Sequence, residues 1–302
     1  MGYSVRLNQI RDFVAAIEHG SINGAARALG ISQPGITKSI KGLEKDLEVQ
    51  LVQRTTRGVV PTTFGRAFFL RARVAQSELR RGAQEIKQLA GQAGGSVAFG
   101  TGPIAAAMIV PEAINVFRRQ FPQPDVRVVE GFPQGLLPRV RDETLDFLIG
   151  PRFPNLVLDS AISFRPLFQH QLVVACRDGH PLASTRSLAE LAGSAWLCFE
   201  PRELLDETFR ALGVALPRTV VQCESHTAFL RLLARSDMIG IVPRRVLADE
   251  GIRGTLREIR VYEQLRAHTV GLFTRSDTPL TRMAHAMTKA LTAAGRKLAF
   301  LR

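Results

Sequence analysis

The sequence predicts an α/β chain: a small all-α N-terminal unit closed by a short hairpin, one long helix, and a larger α/β domain in two lobes. Three observations lead there. Apolar residues near the N-terminus recur at three- and four-residue spacing, the period of amphipathic helices. Beyond Ser96, apolar β-prone runs alternate with helical stretches, as expected of buried, largely parallel strands covered by helices. The length of 302 residues exceeds the roughly 100–200 of a single domain, leaving room for a small domain beside a bilobed one.

The N-terminal elements follow in order. Leu7, Ile10, Phe13, Val14 and Ile17 give a first helix one apolar face, and His19-Gly20 ends it. Arg11, Asp12 and Glu18 lie within it, so the N-terminus reads as an amphipathic helix rather than a signal peptide. Ser21 caps a second helix that packs through Ala25, Ala26 and Leu29, and Gly30 stops it. Ser32 caps a third helix with Pro34 in its first turn and Ile36, Ile40, Leu43 and Leu47 as its buried stripe. The opposite face carries Gln33, Thr37, Lys38, Lys41 and Lys45. Amide and hydroxyl groups at its start suit base edges in a major groove, and the lysines suit phosphates. A merely solvated lysine face is the alternative.

Val49 to Thr63 holds two short β-prone stretches around Thr-Arg-Gly, a hairpin with a basic tip. Arg54 and Arg57 are its candidates for phosphate or minor-groove contact, or else ordinary exposed arginines. From the cap residue Thr62 a helical pattern runs to about Gln92, with Phe68, Ala72, Ala75, Leu79, Gly82, Ile86 and Leu89 in a 4-3 heptad spacing. Such a seam between domains predicts a dimerising linker. QAGGS, Gln92 to Ser96, breaks the helix and marks the boundary that follows. The expected division is therefore 1–61 for a winged helix-turn-helix, 62–92 for the linker helix and 93–302 for the larger domain. That domain reads as VAFG, Ile109 to Phe121, VRVVE, Leu136 to Arg141, DFLIG, LVVAC, WLCF, VVQCE, MIGIVP, LREIRV, TVGLF and a final helix from Pro279.

Composition narrows the function. The formal charge of +13 points to a polyanionic partner, and it is concentrated: residues 1–90 carry 14 Lys and Arg against 7 Asp and Glu. No apolar run reaches the roughly 18 residues of a membrane span. Cys176, Cys198 and Cys223 form no CxxC pair and read as small buried residues in a reducing cytoplasm. The six histidines have no metal-binding spacing, and neither a nucleophile elbow, a P-loop nor a GxGxxG motif is present, so no enzyme, metal or cofactor is predicted. Glu130, Asp142, Glu143 and Asp146 read as a solvated acidic stretch.

The string GSINGAARALGISQPGITKSIKGLEKDLEVQLVQRTTRGVVPTTFG resembles the helix-turn-helix and wing of the LysR-type transcriptional regulators. Ala25-Ala26, Ser32-Gln33-Pro34, Leu43-Glu44, Arg54, Arg57-Gly58, Thr62 and Gly65 carry the likeness. The rest is similar in weaker features such as Gly179-His180-Pro181-Leu182 and Gly240 to Pro243. Val52, Pro61 and Thr37 depart from residues common in the family, and Gly35 at the start of the recognition helix is a further departure. The resemblance implies that Ser32, Gln33, Pro34, Gly35, Thr37 and Lys38 begin the recognition helix and that Arg57 is the wing arginine. It also implies double-stranded DNA as partner, a homodimer through the linker and a homotetramer, with RNA polymerase as a further partner the family allows.

By the same resemblance the larger domain is similar to periplasmic solute-binding proteins of type 2. Residues 96–167 and 268–302 would form one lobe and 168–267 the other, with a small-molecule effector between them. Matching the family's cleft loops selects Gly102, Pro103, Ile104, Pro133, Gln134, Arg152, Phe199, Arg202, Ser225, His226, Thr227 and Pro243. Ser225 and Thr227 at a helix start, with Arg152 and Arg202, imply an organic anion. Interlobe salt bridges or plain surface positions for the arginines and a structural role for His226 are the alternatives. An enzyme or solute-binding protein of similar fold is the alternative function; salt-dependent retention on duplex DNA separates them.

Overall fold

A computed structural model describes residues 5–55, 58–89, 95–249 and 251–300. The N-terminal unit comprises α1 (Leu7–Glu18), α2 (Ile22–Leu29), α3 (Gln33–Leu47) and the antiparallel hairpin β1 (Val52–Thr55) and β2 (Gly58–Pro61). Each helix begins and ends where its caps allow. The hydroxyl of Ser21 accepts from Gly24 N–H at 2.9 Å and that of Ser32 from Gly35 N–H at 3.2 Å, while Gly30 takes a left-handed φ of 66°. Phe13, Ala25, Ile36, Ile40, Leu43, Leu51 and Val59 form one core.

Polar ties fix α3 within that unit. Gln9 Nε2 donates to Asp46 at 3.1 Å, and Glu44 Oε1 accepts from the N–H groups of Leu51 and Val52 at 2.8 and 3.1 Å, joining the helix to the hairpin. Val59 N–H donates to Gly20 O at 2.8 Å. The approach is so close that a Cβ on Gly58 would overlap the Gly20 carbonyl, and its φ of 125° is open only to glycine.

Thr62 caps α4 (Thr63–Leu89) by accepting from Gly65 N–H at 3.0 Å. Residues 90–92, the expected end of the linker, lie outside the described residues. The heptad positions divide: Phe68 and Ala72 pack into the N-terminal core, whereas Leu79 and Ile86 are 52% and 66% exposed.

The larger domain contains β3 (Gly95–Thr101), α5 (Pro103–Met108), α6 (Val110–Gln120), β4 (Pro124–Glu130), α7 (Pro133–Arg141), β5 (Phe147–Arg152) and β6 (Ile162–His170). It continues through β7 (Leu172–Arg177), α8 (Leu188–Leu191), β8 (Ala195–Cys198), α9 (Arg202–Ala211), β9 (Thr219–Gln222), α10 (His226–Arg235), β10 (Ile239–Pro243) and β11 (Leu256–Ile259), and closes with β12 (His268–Arg275) and α11 (Arg282–Phe300). Two five-stranded sheets result, ordered β4-β3-β5-β12-β6 and β11-β7-β10-β8-β9.

Both sheets are mixed rather than largely parallel. β3, β4 and β5 run parallel, as do β8, β9 and β10, but β12, β6, β7 and β11 pair antiparallel. The antiparallel strands include β6, β7 and β12, which border the chain's two passages between lobes. The first passage lies at Gln171, later than 167/168, because β6 stays paired with β12 as far as His170 opposite His268. Phe99, Phe117, Phe147, Met287 and Leu291 lie in the core of the first lobe, and Trp196 packs edge-on against Phe209 in the second.

Candidate DNA-reading face and interlobe cavity

On α3 the buried stripe and the exposed face separate cleanly. Ile36, Ile40 and Leu43 are buried, while Ser32, Gln33, Pro34, Gly35, Lys38, Lys41 and Lys45 are exposed and Thr37 is half-buried. The side chains of Gln33, Lys38, Lys41 and Lys45 turn to solvent and are open to a partner outside the fold. Pro34 at the second helical position presets φ without removing a helix hydrogen bond. Arg54 sits on β1 opposite Val59, and Arg57 lies outside the described residues.

Between the lobes lies a small cavity of about 40 Å³. Six residues selected from the sequence meet there: Gly102, Pro103 and Ile104 from the first lobe, and Phe199, His226 and Pro243 from the second. An aromatic contact crosses the cleft at the cavity, with the Phe132 and Phe199 ring centroids 5.1 Å apart, and Phe199 also meets His226 at 5.3 Å.

The other six do not line it. Arg152 turns back on its own loop, its Nη1 donating to the carbonyls of Phe153, at 3.1 Å, and Leu156. Arg202 bonds Asp206 at 2.7 Å and the Pro217 carbonyl at 3.1 Å, held by the i,i+4 spacing of α9. Gln134, Ser225 and Thr227 are exposed, and Pro133 is buried beneath the wall formed by Gly150. Successive residues at a helix start point about 100° apart, which is why His226 faces the cavity while its two neighbours face solvent. The expected convergence of two guanidinium groups on the cleft is therefore absent from this arrangement.

His170 and Glu200 are the polar lining residues that the selected loops omitted. His170 is 6% exposed and its Nδ1 has no hydrogen-bond partner; desolvation, with His268 close by, pulls it down to about 4. Burial also lowers His226, partly offset by Asp249. Glu200 lies 3.3 Å from His268 Nδ1. A signal for His170 existed: a histidine stands beside each expected lobe passage, and strand pairing at a hinge brings the two together.

Of the acidic stretch Glu130 is exposed as expected, but Asp142, Glu143 and Asp146 are not solvated. Asp142 is 9% exposed and pairs with Arg73 of α4 at 3.2 Å; Arg73 also meets Glu18 of α1 at 3.6 Å. Ser77, 2% exposed, donates to the Glu143 carbonyl at 2.8 Å. Asp146 accepts from Ala98 N–H at 2.8 Å and joins β3 to the start of β5. Linker, first helix and first lobe thus share one polar bridge at the end of α7, whose preceding residue Phe132 lines the cavity.

The two buried thiols are chemically quiet. Desolvation pushes Cys176 up to about 11 and Cys198 to about 12, so both stay protonated and weakly nucleophilic at neutral pH. Among the described residues no group of three or more His, Cys, Asp or Glu is placed to hold a metal, and no helix is long and apolar enough to cross a membrane.

A three-helix head with a hairpin, a long linker helix and a two-lobed α/β domain define a ligand-responsive, DNA-binding regulator. Two family models match in tandem: the bacterial regulatory helix-turn-helix protein of the lysR family over residues 7–66, and the LysR substrate binding domain over 90–296. The chain belongs to the LysR family of transcriptional regulators. It is 30% identical to the HTH-type transcriptional regulator GbpR of Azospirillum brasilense over 96% of this chain and 86% of that protein. Its identity to the HTH-type transcriptional regulator GalR of Pseudomonas putida is 31%, over 91% of this chain and 70% of that protein. Full-length CbnR, solved in complex with its target DNA, has the same fold at 20% identity, with a TM-score of 0.67 and coverage of 96% and 99% of the two chains.

Proposed function

We propose that this regulator reads duplex DNA with the exposed start of α3 and with the wing, and that a small effector held between the lobes of its larger domain adjusts that reading. The observation that carries the proposal is the division of α3: Ile36, Ile40 and Leu43 are buried, and Gln33, Lys38 and Lys41 are left to solvent. Exposed hydrogen-bonding groups ahead of lysines suit base edges followed by phosphates. CbnR, a fold neighbour, is a protein solved with its target DNA.

In this reading α4 pairs two copies. Leu79 and Ile86 are the exposed large residues of a 4-3 seam whose first members, Phe68 and Ala72, are already used within the chain. Two such dimers form a homotetramer in the cytoplasm, where DNA and RNA polymerase are the macromolecular partners.

About 40 Å³ holds a few water molecules, whereas ligand sites usually span about 300–1,000 Å³. An effector therefore needs the Phe132–Phe199 contact to part, and it binds the open arrangement in preference to the closed one. That differential affinity is what shifts a population of lobe arrangements. The organic anion expected from the sequence loses its two guanidinium partners, since Arg152 and Arg202 are committed elsewhere.

Selection from a random duplex library by the full-length protein, followed by binding titrations at several salt concentrations, tests the proposal. The expected result is an enriched two-half-site sequence, bound at least about a thousandfold more tightly than random duplex, with affinity falling steeply with salt. No enrichment and no salt dependence would leave the solute-binding alternative.

A further inference from the structure

We infer that the ligand of the interlobe cavity is an uncharged molecule with an aromatic or alicyclic body and a hydroxyl or amide head, read by His170, His226 and Glu200, and that the site rejects carboxylates. The inference rests on the reading of this cavity as the effector site.

Its walls supply the body's environment. Phe132, Phe199 and Phe229 line the cavity together with aliphatic residues of both lobes. Its polar side chains are few. Two imidazoles and one carboxylate line it, with neither lysine nor arginine among the lining residues. A carboxylate entering this space would give up its hydration without gaining a counter-charge, and it would share the cavity with Glu200.

The imidazoles are not substitutes for the missing cations. Burial lowers both, so at neutral pH each presents one N–H donor and one lone pair. His170 is the sharper indicator. It is nine-tenths buried, lines the cavity and keeps an Nδ1 without a partner, an arrangement that costs stability unless water or a ligand completes it. An alcohol or amide offers both a donor and an acceptor to such a set. A ligand ammonium is less well served, because Glu200 already faces His268 at 3.3 Å. The groups that favoured an anion face elsewhere: Ser225 and Thr227 are exposed, and the Ser225 hydroxyl is used by Ala228 N–H at 3.4 Å.

The test uses four matched probes on the full-length protein: benzyl alcohol, benzamide, benzoate and benzylammonium. Melting temperatures are measured at equal millimolar concentrations for the wild type and for Phe199→Ala, whose lost ring leaves apolar space for a phenyl group. Benzyl alcohol and benzamide are expected to stabilise both proteins, the variant more strongly, while benzoate and benzylammonium leave both unchanged. His170→Phe is expected to weaken the alcohol and amide about tenfold, the scale of one hydrogen bond to a buried group. Phe199→Leu serves in place of Phe199→Ala if the latter does not fold.

Stabilisation by benzoate equal to that by benzamide would overturn the inference in favour of an anion site. A preference for benzylammonium would overturn it in favour of a cation site, and an unchanged response in His170→Phe would remove the proposed reader. No shift with any probe, even with Phe199 truncated, would instead overturn the reading of the cavity as a ligand site.

Discussion

The exposed residues of α3 that face the proposed DNA come from the fourteen positions between Ser32 and Lys45, while the cavity's lining runs from Gly102 to Val270. Apart from Ser32, whose hydroxyl caps the helix, the first set contributes little to the fold. Its side chains project from a helix whose opposite stripe does the packing. The second set is fold and site at once: Phe229 is 2% exposed and Val270 also 2%, and both lie in hydrophobic cores. A chain that reads DNA on a helix face can change its target by surface substitution at small cost to stability. One that senses a molecule between lobes must alter its own interior to change ligand, and each change perturbs the closed state as well as the contact.

The largest effect that contrast predicts is at Phe229. Phe229→Ala removes a buried ring that packs under Gly240 and against Phe199, and should cost about 3–5 kcal/mol in denaturant unfolding, the range for buried aromatic truncation. Lys41→Ala on the exposed face should stay within about 0.5 kcal/mol of wild type. Comparable losses for the two would erase the distinction between a reader outside the core and a sensor within it.

Next comes the linker. Ile86→Lys places a charge in the exposed half of the heptad seam, and light scattering should report a smaller oligomer, accompanied by weaker binding to a two-half-site duplex. An unchanged oligomer would move the dimer interface away from α4.

The pH dependence is smaller and confined to the cavity. His170 has a folded value of about 4 against about 6.5 unfolded, so between those limits the unfolded chain binds the proton and the native one does not. Stability contributed by neutral His170 is present above about 6.5 and is lost as pH falls toward 4. The lowered value of His226 acts in the same direction. The wild type should therefore lose more melting temperature between pH 7.5 and pH 5 than His170→Phe does; equal losses would mean that His170 titrates normally.

The same contrast explains what was legible in the sequence. Ser21, Gly30, Ser32 and Thr62 act through hydrogen bonds to residues three or so positions away, so caps and helix faces could be read directly, and the alternation beyond Ser96 marked the described strands of the larger domain except β6, whose run is interrupted by Arg165 and Pro166. Strand direction could not be read, because an apolar run such as LVVAC suits either neighbour and only pairing decides. Nor could the side chains at the cavity. Arg152 ends β5 and Arg202 begins α9, but each finds nearer partners in its own lobe, in the carbonyls of Phe153 and Leu156 and in Asp206. The Asp142–Arg73 bridge was equally hidden, since it joins residues far apart in the chain.

The account turns most directly on whether α3 reads bases. Equilibrium affinities of Gln33→Ala and Lys41→Ala, measured at one fixed salt concentration on the selected site and on random duplex, decide it. Gln33→Ala should lose roughly 5- to 150-fold on the selected site, equivalent to about 1–3 kcal/mol of discrimination, with little change on random duplex, whereas Lys41→Ala should weaken both alike. Equal losses on the two duplexes for Gln33→Ala would contradict the account, because a helix whose first exposed amide carries no sequence information is only an electrostatic grip.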